Sequence, residues 1–244
     1  MKAAVVTGSA LNIGRSIALH LARDGFAVMV TARHSEADVV ETARLVRESG
    51  GTAKVHMADL TDPAQAKGLI EAAVSAFGGL NALVNNASVR RQTKFSEMSP
   101  EEWREIMSAT LDAPFYCAHA AAPFIAAAGG GSIVNLGGMS AHVGATGRVH
   151  AVTAKAGVVG LTRALAKELA GDGITVNTVV PGSIETIRGA AAGGNHGRSA
   201  LPDSLAGRRG KPDEIAAMVR FLCSDEARYV TGQTIHVNGG AFLT

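Results

Sequence analysis

The 244-residue chain has only two cysteines, Cys117 and Cys223, too few for a disulfide framework. Each falls in an apolar helical pattern, so both read as buried, reduced thiols of a cytoplasmic protein. Aromatic residues make up only 4% of the chain, so the core has to be built from Ala, Val, Ile and Leu. The 29 glycines suit helices packed closely on a sheet. Charge excess is also missing. A formal net charge of +2 excludes the basic footprint of a nucleic-acid or membrane-surface binder. No apolar run approaches the ~20 residues that span a bilayer. The first apolar run, AAVV, leads straight into TGSALNIG, so no signal peptide is expected. No linker or internal repeat divides the chain, and residues 1–244 read as one domain.

What is present is alternation. Short β-rich runs at Ala3–Val6, Ala27–Val30, Val55–Ala58, around Leu83-Val84, Ser132–Leu136, Thr175–Val180 and Thr234–Val237 are separated by helical patterns. Helices are expected after Gly14, at 36–49, at 62–77, after Ser99, at 150–170 and at 213–223. Ser99-Pro100-Glu101-Glu102 is a capping box with proline at the first helical position, opening one long helix. Strand–helix alternation implies right-handed crossovers, hence a doubly wound α/β domain with a seven-stranded parallel sheet and helices on both faces. The glycine-rich RGAAAGGNHGRSA at 188–200 reads as part of a mobile substrate lid at about 188–205.

Two turns point to a dinucleotide. Gly8 ends the first strand and Gly14 opens the first helix, where backbone N–H groups and the helix N-terminus favour a pyrophosphate. The second strand ends in TARHS. Where an NAD-binding fold usually places a carboxylate, this chain has Ala32 followed by Arg33 and His34. A guanidinium suits a 2′-phosphate, so NADP(H) is expected over NAD(H).

Together these motifs make the chain resemble the short-chain dehydrogenase/reductases from end to end. The resemblance rests on TGSALNIG at 7–14, Asp59-Leu60, NNAS at 85–88, IVNL at 133–136, Lys155-Ala156-Gly157, PGSIET at 181–186, Gly207-Arg208 and YVTGQTIHVNGG at 229–240. The general type is similar to the 3-oxoacyl-carrier-protein reductases, which reduce a carbonyl with NADPH. The resemblance implies a Rossmann-type NAD(P) domain. It implies that Asn12 and Ile13 belong to the phosphate loop and that Asp59 and Leu60 lie at the adenine. It further implies that Asn86, Ala87 and Ser88 line the cofactor. Pro181, Gly182, Ile184 and Thr186 would cradle the nicotinamide, and Lys155 would hold its ribose. A homotetramer with long helices and the C-terminal strand at its interfaces is implied as well.

The departures concentrate at the reaction centre. The family's tyrosine, four residues before the lysine, is Ala151, and its serine, thirteen further back, is Gly138. Its asparagine, seven residues after Trp103, is Thr110, and an enoyl-reductase-type tyrosine position holds Arg148. Tyr116 and Tyr229 match no catalytic position. Asn12 replaces a loop glycine and Ser88 the glycine of NNAG, both mild changes. Only Lys155 remains. His150 is the nearest alternative acid, though rotated about 100° from position 151 on a helix. A histidine facing a loop or a subunit contact is the plainer reading. His142, Ser140, or a water polarised by Lys155 are further options. Arg90, Arg91 and Lys94 near the expected site mouth, with Arg188, His196 and Arg198 in the expected lid, suit an anionic small-molecule substrate. The expectation is an NADP(H)-dependent oxidoreductase acting on a carbonyl or conjugated enone through a non-standard proton relay. A cofactor-binding sensor or structural partner, and an isomerase or lyase, remain as alternatives.

Overall fold

Small β-branched and alanine-rich strands set the centre of the molecule. In the computed structural model, which describes residues 1–187 and 204–244, β1 (Ala3–Val6), β2 (Ala27–Val30), β3 (Thr52–Val55), β4 (Ala82–Asn85), β5 (Gly131–Leu136), β6 (Ile174–Pro181) and β7 (Thr234–Val237) form one sheet. The order is β3-β2-β1-β4-β5-β6-β7, and every pairing is parallel. Strands β1, β2, β4 and β5 are buried along their whole length, as expected of a parallel sheet covered on both faces.

The connections are α1 (Asn12–Arg23), α2 (Glu36–Glu48), α3 (Pro63–Phe77), α4 (Pro100–Met107), α5 (Ala113–Ala127), α6 (Ser140–Val143), α7 (Val149–Glu168) and α8 (Pro212–Leu222). Local chemistry sets their ends. Asp62 caps α3 by accepting from the Ala64 N–H at 2.8 Å, and Gly78 closes it at φ 81°. Two apolar layers result. Ile17, Leu21, Val39, Ile215 and Leu222 pack on one face of the sheet, and Leu69, Ile70, Ala118, Ala121 and Ile125 on the other. Cys117 and Cys223 are buried, and burial pushes both thiols up to about 12, which makes them inert. Among the described residues no helix is long and apolar enough to cross a membrane.

Two elements differ from the sequence expectation. The third strand is Thr52–Val55, not Val55–Ala58. It is the sheet edge and alternates exposed Thr52, buried Ala53 and exposed Lys54, so a search for a buried run finds the apolar residues after it. The expected long helix after Ser99 is interrupted by a π turn at Ser108–Asp112 between α4 and α5. Pro114 has no N–H to give the carbonyl four residues back, that of Thr110, and the extra residue of the π turn absorbs the mismatch. The expected lid lies outside the described residues except for Ser204 and Leu205.

Candidate active site

The site begins where strand order reverses. β1 lies between β2 and β4, so the chain crosses the sheet in opposite directions from its carboxyl end and opens a crevice there. The turn after β1 is locked to β4. Thr7 Oγ1 accepts from the N–H groups of Asn86 (2.9 Å) and Ala87 (3.0 Å), and Asn86 Nδ2 donates to the carbonyls of Thr7 (3.0 Å) and Gly8 (2.9 Å). Gly8 sits at φ 61°, and a Cβ there would stand 2.8 Å from Ala87 Cα. A Cβ on Gly14 would stand 2.2 Å from the Gly8 carbonyl oxygen. These glycines clear space for a close backbone approach. The N-terminus of α1 carries no side-chain cap and no acidic residue in its first turn, so its N–H groups and positive end face the crevice. Ile13 is buried beneath the turn, and Asn12 stands on it in the left-handed region at φ 52°. A dinucleotide pyrophosphate fits this cradle.

At the end of β2, Arg33 Nε and Asp59 Oδ2 form an ion pair at 3.0 Å. Asp59 is itself fixed, its Oδ1 accepting from the Thr61 hydroxyl (2.7 Å) and N–H (3.1 Å). A guanidinium has five N–H donors, so this one contact orients Arg33 without consuming it. Leu60 is buried beside it, and His34 is exposed.

Lys155 stands on α7 and donates to the Leu136 carbonyl at the end of β5 at 2.5 Å. Burial, and secondarily the charge of Arg90, draws its ammonium down to about 8. A Cβ on Gly138 would meet Lys155 Cγ at 3.7 Å and Ser140 Oγ at 3.9 Å, both ordinary contacts, so the Ser140 hydroxyl and Lys155 flank the position where the family has its serine. Thr110 lies in the π turn, buried, with a hydroxyl that has no hydrogen-bond partner. On the far wall Pro181 ends β6, and a Cβ on Gly182 would lie 2.6 Å from Asn238 Cα. Ile184 bridges to Gly210, while Thr186 and Ser88 are exposed.

His150 does not fit the role of proton donor. It is fully buried in the first turn of α7, its Nε2 is 3.0 Å from Glu102 Oε1, and its Nδ1 accepts from the Ala151 N–H at 2.7 Å. With Nδ1 so occupied, the ring proton sits on Nε2 and goes to the carboxylate. Glu102 also accepts from the Thr93 hydroxyl at 2.6 Å. Thr93, and then His150, hold the Glu102 carboxyl below its usual range. The sequence suggested that Glu102 completes the capping box of α4. Ser99 does accept from the Glu102 N–H at 3.1 Å, but the carboxylate is spent on joining α4 to α7. The sequence offers no more for this pairing than a histidine at the entry of one helix and an acid at the third position of another, and the histidine faces α4 rather than a loop or a subunit contact.

The basic residues separate in the same way. Arg91 is engaged with Glu105 by two hydrogen bonds, at 2.6 and 3.1 Å, and Lys94 pairs with Glu97 at 3.5 Å. Arg90 is the one whose charge reaches Lys155. His142 turns its ring onto His236 of β7, 4.5 Å between centroids, and onto Phe242. Arg188, His196 and Arg198 lie outside the described residues.

The geometry agrees with relatives of known kind. A family model described as enoyl-(acyl carrier protein) reductase matches residues 8–241. The 3-oxoacyl-(acyl-carrier-protein) reductases FabG of Staphylococcus aureus and of Escherichia coli are each 38% identical over 99% of this chain and 98% of their own length. Among solved structures, acetoin dehydrogenase YohF from Salmonella typhimurium superposes with a TM-score of 0.89 at 34% identity, covering 98% of this chain and 95% of that one. A short-chain alcohol dehydrogenase described as such from Sinorhizobium meliloti gives 0.91 at 36% identity over 98% and 96%. With a shared doubly wound fold and full-length similarity to oxidoreductases, the chain belongs to the short-chain dehydrogenase/reductase family.

Proposed function

We propose that the protein is an NADP(H)-dependent oxidoreductase that reduces a carbonyl or conjugated enone on an anionic small molecule, with a proton relay that does without a tyrosine. The observation that carries this reading is Lys155, kept at the end of β5 beside a glycine-cleared crevice, although Ala151 and Gly138 have lost their chemistry. Bound NADP(H) would supply the hydride. Gly8, Asn12, Ile13 and Gly14 would hold its pyrophosphate, and Asp59 and Leu60 its adenine. Asn86, Ala87 and Ser88 would line its path, and Pro181, Gly182, Ile184 and Thr186 its nicotinamide.

The chain's own groups then do the following. Lys155 binds ribose hydroxyls, and its lowered proton affinity lets it polarise a water in the room left by Ala151. Ser140 offers a hydroxyl to the substrate oxygen. Arg90 supplies charge for a carboxylate or phosphate near the reacting centre. His150 and Glu102 position α7 against α4. A conjugated enone suits this set, because its reduction needs less help from an acid.

A second reading, cofactor binding without fast turnover, is favoured by the sequestered His150 and the unpartnered Thr110 hydroxyl. A panel of anionic ketones and enones assayed by NADPH oxidation separates the two; robust turnover of any member removes the second. A homotetramer joined through α5, α7 and the outer edge of β7 belongs to the same proposal, with sedimentation equilibrium as its test.

Two further outcomes are expected. Arg33→Ala should weaken NADPH about 10- to 100-fold while leaving NADH almost unchanged, since a charge-assisted contact to a phosphate is worth roughly 1.5–3 kcal/mol. Fluorescence titration of both cofactors checks this, and an equal loss for both would remove Arg33 from the 2′-phosphate. The second concerns pH. Lys155 binds ligands as an ammonium below about 8 and loses that proton above it. NADPH affinity should therefore fall as pH rises through 8. Arg90→Ala removes a like charge, raises the proton affinity of Lys155 and should move the break to higher pH. A break that stays put in the variant would show that Arg90 does not act on Lys155.

A further inference from the structure

Asn12 does more than replace a glycine. Its side chain makes two hydrogen bonds to one backbone unit, that of Ile187: Nδ2 donates to the Ile187 carbonyl at 2.7 Å, and Oδ1 accepts from the Ile187 N–H at 2.7 Å. The amide copies the donor–acceptor pattern of a β-strand and pairs with Ile187 as a strand would. Asn12 is the first residue of α1, in the turn after β1, whereas Ile187 follows β6. β1 and β6 are separated by β4 and β5, so at about 4.8 Å per interval the two turns rise from strands about 14 Å apart. One side chain thus closes the distance between the phosphate turn and the segment Ser183–Ile187.

Asn12 is also the only non-glycine residue at positive φ among the described residues. That conformation aims its side chain, and asparagine is one of the few residues that enter it cheaply. Glycine would satisfy the backbone equally well and make no contact. A residue that accepts the backbone requirement and adds a two-point clip has a use beyond the turn.

We infer that Asn12 is a cofactor-positioning residue, which fastens the wall carrying Thr186 to the pyrophosphate turn and so holds both halves of a dinucleotide in one geometry. This rests on the dinucleotide reading above. A pyrophosphate held at the N-terminus of α1 would be beside Asn12, and residues 182–187 would hold the far half of the molecule. Releasing the clip frees that wall without altering the phosphate turn. The adenosine half alone would need only one of the two walls and would be indifferent to the clip.

The test compares Asn12→Gly with the unaltered protein. Glycine keeps the positive φ, so folding and thermal stability should change little. NADPH should bind roughly tenfold more weakly and dissociate correspondingly faster by stopped-flow fluorescence, the worth of two solvent-exposed hydrogen bonds. Affinity for 2′,5′-ADP, which lacks the nicotinamide half, should be unchanged. Amide hydrogen exchange in the cofactor-free protein should accelerate at Ile187. Equal NADPH affinity and release in the two proteins would overturn the inference, as would tighter NADPH binding or an equal loss for 2′,5′-ADP, which would place the effect at the phosphate turn alone. Failure of the unaltered protein to bind NADPH would instead overturn the dinucleotide reading, and this role with it.

Discussion

Restoring two side chains, by Gly138→Ser together with Ala151→Tyr, is expected to raise the rate of simple ketone reduction with NADPH by about 10²–10⁴-fold, the usual worth of a positioned general acid. Position 138 has kept room for its part. A Cβ at position 138 meets only Lys155 Cγ at 3.7 Å and Ser140 Oγ at 3.9 Å, so serine enters without displacing backbone. Position 151 is one helical turn before Lys155, on the same face of α7, where the ammonium lowers the pKa of a phenol. Ala151→Tyr alone should recover most of the gain, because the hydroxyl of serine orients the oxygen but carries no net proton. The measurement is initial-rate NADPH oxidation against a panel of ketones. Rates unchanged from the parent would mean that the substrate carbonyl is presented elsewhere than over Lys155. A rise for ketones with a fall for enones would show that the vacated space serves the native substrate.

Gly14→Ala should nearly abolish cofactor binding, with NADPH affinity falling at least about 100-fold. The added Cβ would stand 2.2 Å from the Gly8 carbonyl, 2.7 Å from Asn86 Nδ2 and 2.9 Å from Ser9 Cα. The first and last of these are backbone and cannot swing aside. The Gly8 carbonyl is already tied to Asn86, so moving it breaks the lock between β1 and β4 as well. Overpacking of this kind costs about 1–3 kcal/mol of stability, and a lowered melting temperature should accompany the lost binding. Gly68→Ala is the control. It lies inside α3 with open space at its Cβ, and should hold or slightly raise the melting temperature while leaving NADPH affinity unchanged. A Gly14→Ala protein that binds NADPH normally would show that the turn does not approach the cofactor closely.

The elements most legible in the sequence were those governed by local rules. The Asp62-Pro63 start and Gly78 stop of α3 lie where capping chemistry puts them, and the buried runs of β1, β2, β4 and β5 follow from their composition. The edge strand β3 begins three residues before the apolar run at Val55–Ala58, because half of its side chains face water. The π turn is not legible in the sequence, since Pro114 shows that a helical hydrogen bond is missing but not how the backbone absorbs the loss.

The sequence by itself determined the doubly wound fold, the glycine-cleared phosphate turn and the residue types Thr110, Gly138 and Ala151, none of which has a titratable side chain. These depend on residue types at fixed spacings, and spacing along a chain is what a sequence records. Only the tertiary structure decided what the remaining polar groups do. Glu102 and His150 are 48 residues apart, Arg33 meets Asp59 beyond the ends of the neighbouring strands β2 and β3, and Asn12 reaches a backbone 175 residues away. Hydrogen bonds and ion pairs act over about 3 Å, and chain separation carries no information at that range until the sheet has brought the strand ends together.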